Sequence, residues 1–156
     1  MLDIQKVTTQ GAALESVKDL FRAYVQELNE DLCFQSFDSE IDNPLYKYSA
    51  PVGALFIAYY NAIPVGCIAL QPLHAIGDCE MKRLYVVPAY RKLGVGDALV
   101  KVLFHEAQSL GYTTMKLDTL ERLQAALKLY QKFGFETVTA YYNNPLPGVV
   151  YMQKKL

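Results

Sequence analysis

The chain has 156 residues, of which 52% are hydrophobic and 20% charged, and its formal net charge is −1. Length and apolar content together predict one domain, residues 1–156, with a core of its own. The charge balance argues against a general electrostatic binder of nucleic acid, which carries a basic excess, and leaves only a local basic patch at Lys82, Arg83, Arg91 and Lys92.

In chain order, Asp3–Thr8 alternates weakly and predicts a first strand, broken at Gly11. Leu14, Val17, Leu20, Phe21, Tyr24, Val25 and Leu28 then recur at helical spacing and predict a helix over Ala12–Leu28. From Asn29 to Pro51 the pattern weakens. Phe34 and Phe37 are apolar islands among acidic residues, Ile41 is compatible with a short second helix, and Asn43-Pro44 marks a turn. So long and aromatic a segment reads either as a lid over a ligand or as a surface loop pinned by its phenylalanines.

Ala54–Tyr60 predicts a strand, Asn61–Pro64 a hairpin-like turn, and Val65–Leu70 the returning strand. After the Pro72–Gly77 loop, Asp78–Val87 predicts a third. Strand alternation puts Glu80, Lys82, Leu84 and Val86 on one nominal face. A helix follows over Asp97–Leu110, with Ala98, Leu99, Val102, Leu103 and Leu110 as its buried stripe, and Gly111 ends it. Thr113–Leu117 is a strand, Leu123–Phe133 a helix stopped by Gly134, and Phe135–Thr139 a strand. Tyr141–Gly148 is rich in turn residues, and Val149–Gln153 closes the chain as a strand. The order predicts a mixed α/β architecture. Its central, mostly antiparallel sheet has about six or seven strands, with helices on both faces and a βαβ crossover in the second half.

No apolar run reaches membrane-spanning length, and Met1-Leu2-Asp3-Ile4 lacks the basic-then-apolar order of a secretory signal. A cytoplasmic chain without membrane or nucleic-acid partners is expected, as a monomer or homodimer. Cys33, Cys67 and Cys79 are odd in number and lack metal-ligand spacing, so they read as reduced thiols. His74 and His105 stand alone, and no metal site is expected.

One stretch carries a ligand signal. Arg91-Lys92-Leu93-Gly94-Val95-Gly96 joins an apolar strand to an amphipathic helix. A glycine turn there leaves backbone N–H groups unpaired at the positive end of a helix dipole, which suits a phosphate. The Walker and dinucleotide patterns are absent, because no Gly-Lys-Ser/Thr occurs and position 99 is leucine.

These residues resemble the GNAT superfamily of N-acetyltransferases. Arg91–Gly96 is similar to its Arg/Gln-x-x-Gly-x-Gly/Ala motif. Leu84-Tyr85-Val86-Val87-Pro88 is similar to its preceding strand. Ala126-x-x-Leu129-Tyr130, followed by Gly134-Phe135, is similar to its second signature helix. The resemblance covers roughly Glu80 to Phe135 and implies the GNAT acyltransferase fold with acetyl-CoA as co-substrate. Backbone groups from Lys92 to Asp97 would hold the pyrophosphate, helped by Arg91 and Lys92, with Leu93, Gly94, Val95, Gly96 and Asp97 forming the turn. Leu84, Tyr85 and Val86 would pair with the pantetheine arm, and one of their N–H groups would polarise the thioester. Tyr130, which periodicity alone would assign to the core, would protonate the departing thiolate. Glu80 would be the base, unless water relays the proton to backbone carbonyls. Leu123 stands where the family often has an asparagine against the cofactor arm, so that contact differs here. Phe34, Phe37, Tyr141, Tyr142 and Asn143 are the expected acceptor lining. The implied reaction is direct acetyl transfer to a primary amine in a ternary complex. A small molecule is the first acceptor expected and a protein N-terminus or lysine the second. A non-catalytic acyl-CoA-binding module is the alternative from another class.

Overall fold

The forecast helix over Ala12–Leu28 forms over those residues in a computed structural model describing residues 1–156; we label it α1. It buries Leu14, Val17, Leu20, Phe21 and Leu28 and ends at Asn29 in the left-handed region. The strands are β1 (Leu2–Lys6), β2 (Ala54–Tyr60), β3 (Ile63–Pro72), β4 (Asp78–Val86), β5 (Thr114–Leu120), β6 (Glu136–Val138) and β7 (Val149–Lys155). They form one mixed sheet in the order β1-β2-β3-β4-β5-β7-β6, antiparallel throughout except for β4 against β5.

Both faces of the sheet are covered, which is why β2 and β3 read as continuous apolar runs. Ala54, Phe56 and Ala58 point to the cluster under α4 (Val95–Ser109), while Leu55 and Ile57 point to α1. α5 (Gln124–Lys132) lies on the α4 side through Tyr130. The segment read as irregular forms a 3₁₀ turn at Cys33–Gln35 and two short helices, α2 (Phe37–Asp42) and α3 (Pro44–Lys47).

Two expectations are corrected. Gly94, at φ 81°, caps α4, so the helix begins at Val95 and not Asp97. Its buried stripe is Val95, Leu99, Val100, Leu103 and Ala107, with Ala98, Val102 and Leu110 only half-buried. β4 also does not alternate cleanly. Arg83 has φ 58°, and the register passes from Cys67↔Tyr85 to Ala69↔Lys82, so Ile68 opposes two residues. This is a β-bulge. It leaves Glu80 and Lys82 on the α1 side but turns Leu84 and Val86 to the α4 side, where they join Cys79 and Met81.

The bulge coincides with a parting of strands. β4 pairs with β5 only over Asp78–Glu80 and Thr114–Lys116. Beyond Glu80 the two diverge, and β5 continues to Leu120 held by β7 alone. The β5-facing edge of β4 from Met81 to Val86 therefore has no strand partner.

Candidate active site

The glycine turn presents a run of unpaired donors. None of the N–H groups of Lys92, Leu93, Gly94, Val95, Gly96 and Asp97 has an acceptor within the chain. They surround the N-terminus of a fifteen-residue helix, where the dipole favours an anion. Lys92 and Gly94 both take positive φ, 68° and 81°. Lys92 and Leu93 are exposed, whereas Val95 is buried and anchors the turn. The Asp97 carboxylate is turned aside onto Lys132 of α5.

Arg91 does not stand free. Its Nε donates to the Val86 carbonyl at 2.9 Å, its terminal nitrogen reaches both Glu27 oxygens at 2.9 and 2.7 Å, and its guanidinium lies 5.7 Å from the Tyr85 ring. It braces the turn against the end of β4 and against α1. Lys82 and Arg83, expected in a basic surface patch with Arg91 and Lys92, are instead buried, at 6% and 4% exposure.

The diverging strands open a cleft lined by Met81, Leu84, Leu117, Leu120 and Ala126. Leu123 lies in the same wall at the start of α5, its N–H donating to the Leu120 carbonyl at 2.9 Å. Tyr130 borders the cleft from α5, its ring edge-on to Phe135 with centroids 5.8 Å apart. Burial pushes its phenol well above the ordinary tyrosine range, and nearby Tyr24 and Asp118 add to that. The group is a protonated donor at neutral pH.

On the α1 side the cleft ends in a buried polar cluster. Glu80 is 3% exposed and both its oxygens are occupied: Gln71 Nε2 donates to Oε1 at 2.7 Å and the Tyr141 hydroxyl to Oε2. Asp118 faces it across the divergence. Its Oδ2 accepts from the Tyr142 hydroxyl and from Asn144 Nδ2 at 2.8 Å, while Oδ1 accepts no hydrogen bond and lies 4.0 Å from Lys82 Nζ. Burial, then the facing carboxylates, raises both phenols: Glu80 acts on Tyr141 and Asp118 on Tyr142. Behind the cluster, Arg83 makes two bonds to Glu40, at 2.7 and 3.0 Å, and one to Gln35 Oε1 at 2.8 Å. Burial opposes the Glu40 charge, but Arg83 and Lys47 hold its carboxyl below the ordinary range.

A second cavity of about 450 Å³ adjoins the cleft, sharing Gln35 and Lys82 with it. Phe34, Tyr141 and Tyr142 line it, as does Glu80. Phe37 does not. It packs beneath the Arg83 guanidinium, 5.4 Å away, and against the α1 core. Asn143 is exposed and lines neither cavity; the neighbouring Asn144 is the one that turns inward. Sequence reading missed Gln35, Glu40, Asp118 and Asn144. Asp118 left one trace, an acid at the end of an apolar strand.

The arrangement offers anion donors at the start of α4, an unpaired strand edge and a protonated phenol beside an apolar cleft, and Glu80 in the wall of a second, wider cavity. Comparison with known proteins agrees. Residues 14–135 match the model of the acetyltransferase (GNAT) family. An uncharacterised N-acetyltransferase of Schizosaccharomyces pombe is 44% identical over 144 residues, covering 92% of this chain and 88% of that protein. An acetyltransferase structure from Streptococcus agalactiae superposes with a TM-score of 0.83 at 23% identity, covering 99% and 98% of the two chains. The PaiA N-acetyltransferase of Thermoplasma acidophilum, solved in complex with coenzyme A, superposes at 0.73 with 16% identity, over 100% and 99%. The fold is that of the coenzyme A-binding acetyltransferases. The chain belongs to the acetyltransferase (GNAT) family and is an N-acetyltransferase.

Proposed function

We propose that the enzyme transfers acetyl from acetyl-CoA to a primary amine of a small molecule, by direct attack in a ternary complex. The observation that carries this reading is the meeting of two openings at one buried cluster: the cleft between the parted strands and the cavity beside Glu80, which share Gln35 and Lys82. In this reading the pyrophosphate lies on the N–H groups of Lys92–Asp97, with Lys92 adding charge. Arg91 serves chiefly as a brace, since Glu27 and Val86 already hold its guanidinium. The pantetheine arm runs along the open edge of β4 at Leu84, Tyr85 and Val86, where a backbone N–H polarises the thioester. Leu123 meets the arm by apolar contact. Tyr130 donates a proton to the departing thiolate.

The acceptor enters past Phe34, Tyr141 and Tyr142. A cavity of about 450 Å³ lies within the span of small-molecule sites, about 300–1,000 Å³, which favours a small amine over a protein terminus. The amine must shed a proton before it attacks. Glu80 and Asp118 are the carboxylates on its route. Asp118 Oδ1, which accepts no hydrogen bond, is the better-placed oxygen. The three free thiols, two of them buried, agree with a cytoplasmic setting.

Calorimetry with acetyl-CoA and with CoA, followed by an amine panel read as free thiol release, tests this reading. Binding of both acetyl-CoA and CoA, and turnover of a small amine, are expected. Binding of neither acetyl-CoA nor CoA would overturn the reading, and turnover confined to peptide acceptors would replace its acceptor.

A further inference from the structure

Lys82 is a primary amine held inside the site. Among the lysines, Lys47 and Lys116 line the acceptor cavity, but only Lys82 lines both that cavity and the cleft. Its Nζ makes one hydrogen bond, to Gln35 Oε1 at 3.2 Å, and stands 4.0 Å from both Glu80 Oε1 and Asp118 Oδ1. An ammonium carries three donors, so a buried lysine bonded once is poorly satisfied as a cation. Burial pushes it below the ordinary lysine range, against the pull of Glu80, with Arg83 opposing and Asp118 supporting the charge. Both facts loosen its hold on the third proton.

An acceptor for this chemistry is a neutral amine beside the thioester, with a carboxylate to take its proton. Lys82 supplies from within the chain an amine with two carboxylates, Glu80 and Asp118, 4.0 Å away to take its proton. We propose that Lys82 Nζ is itself an acceptor: with no competing amine present, the enzyme acetylates its own Lys82. The inference rests on the acetyl-CoA reading above. One proton of the Lys82 ammonium passes to Asp118 Oδ1, and the freed lone pair attacks the thioester carbonyl carbon. The C–N bond forms and the C–S bond breaks. The sulfur leaves with its electron pair and takes a proton from Tyr130, and the nitrogen's second proton restores the phenol through the cluster. Lysine ammonium and acetyl-CoA give acetyl-lysine, CoA thiol and one proton released from Asp118 to water.

The product differs from the substrate where it matters for turnover. An acetylated Lys82 places a bulkier neutral amide where the cleft meets the cavity, and it removes the one cation near both Glu80 and Asp118. The modified enzyme has lost room for an acceptor where the cleft meets the cavity, so self-acetylation switches it off.

The test uses the whole chain, freed of any prior acetylation and incubated with acetyl-CoA and no amine. Intact-mass and peptide-mapping spectrometry are expected to find one acetyl group, on Lys82, with one equivalent of CoA thiol released. The adduct should form at least about tenfold more slowly in Tyr130→Phe, and activity toward a panel amine should fall in step with the modified fraction. Lys82→Arg, which keeps the charge but is not an acceptor, should stay unmodified. Should that variant fail to fold, mapping of the natural chain still decides. An enzyme that turns over amines yet leaves Lys82 unmodified would overturn the inference while leaving the functional reading intact. So would acetyl groups spread over exposed lysines such as Lys101 and Lys128. A chain that does not bind acetyl-CoA would overturn both.

Discussion

Arg83 and Glu40 form a doubly hydrogen-bonded ion pair with both side chains almost fully buried, 2% and 0% exposed. Arg83 is the positive-φ residue of the β4 bulge, and Glu40 lies on α2, forty-three positions earlier. The pair thus ties the segment between α1 and β2 to the point where the sheet opens. Removing one partner leaves the other charge buried alone, a loss of about 3–5 kcal/mol. Glu40→Ala should fall in that range by urea denaturation, and an unchanged midpoint would refute the structural role.

The same pair sets a pH dependence. The folded pKa of Glu40 is depressed below the unfolded value of about 4.3. Its contribution is therefore complete above that value and is lost as pH falls through the lower, folded pKa. Between neutrality and acid, the natural chain should lose more stability than Glu40→Gln does. Parallel stability–pH curves for the two would count against the assignment.

That pair also shows where the sequence was legible and where it was not. α1 and β2 were readable to the residue, because their apolar spacing answers to the sheet alone. The Arg91–Gly96 turn was readable because glycines and a helix start are local. Glu40 was not, because an acid among acids looks solvated until a partner forty-three residues away covers it. The β4 bulge was hidden for a related reason. Lys82 and Arg83 look like surface charge, and nothing in Glu80–Val86 marks the residue at which alternation slips. Asn143 and Asn144 were distinguishable only once Asp118 was known to stand opposite.

Tyr130 lies at the cleft with its phenol held protonated by burial. Tyr130→Phe removes the hydroxyl and keeps the ring against Phe135, so packing should survive. Turnover is expected to drop at least about tenfold, with acetyl-CoA affinity nearly unchanged, as for a lost general acid. Equal turnover in steady-state thiol release would remove Tyr130 from the mechanism.

Glu80 and Asp118 are separable by their hydrogen bonds. Both Glu80 oxygens are held, by Gln71 and Tyr141, whereas Asp118 keeps Oδ1 uncommitted. Asp118→Asn should therefore cost more turnover than Glu80→Gln, about a hundredfold if Asp118 is the base. The deficit should narrow as pH rises and acceptor amine deprotonates in solution. A merely structural role for Asp118 would show the same deficit at every pH. A larger loss in Glu80→Gln would return the base to that residue.

Gly94 and Gly96 share a turn but answer to different constraints. Gly94 caps α4 at φ 81°, where a side chain is strained although nothing lies within 4 Å of a built Cβ. Gly96 is helical, and a Cβ there would meet Leu129 Cδ2 at 3.5 Å and Val86 Cγ2 at 3.9 Å, ordinary contact distances. Gly94→Ala should destabilise the chain by about 1–2 kcal/mol, the cost of left-handed backbone for an L-residue. Gly96→Ala should be neutral or stabilising by up to about 1 kcal/mol, the helix preference of alanine over glycine. Binding should follow the same division. Gly94→Ala reorients the N–H groups that face the anion and should weaken CoA. Gly96→Ala points its methyl inward, toward Leu129, and should leave affinity unchanged. Calorimetry on both variants checks this. An unchanged CoA affinity in Gly94→Ala would mean that the anion does not rest on the N–H groups that Gly94 orients.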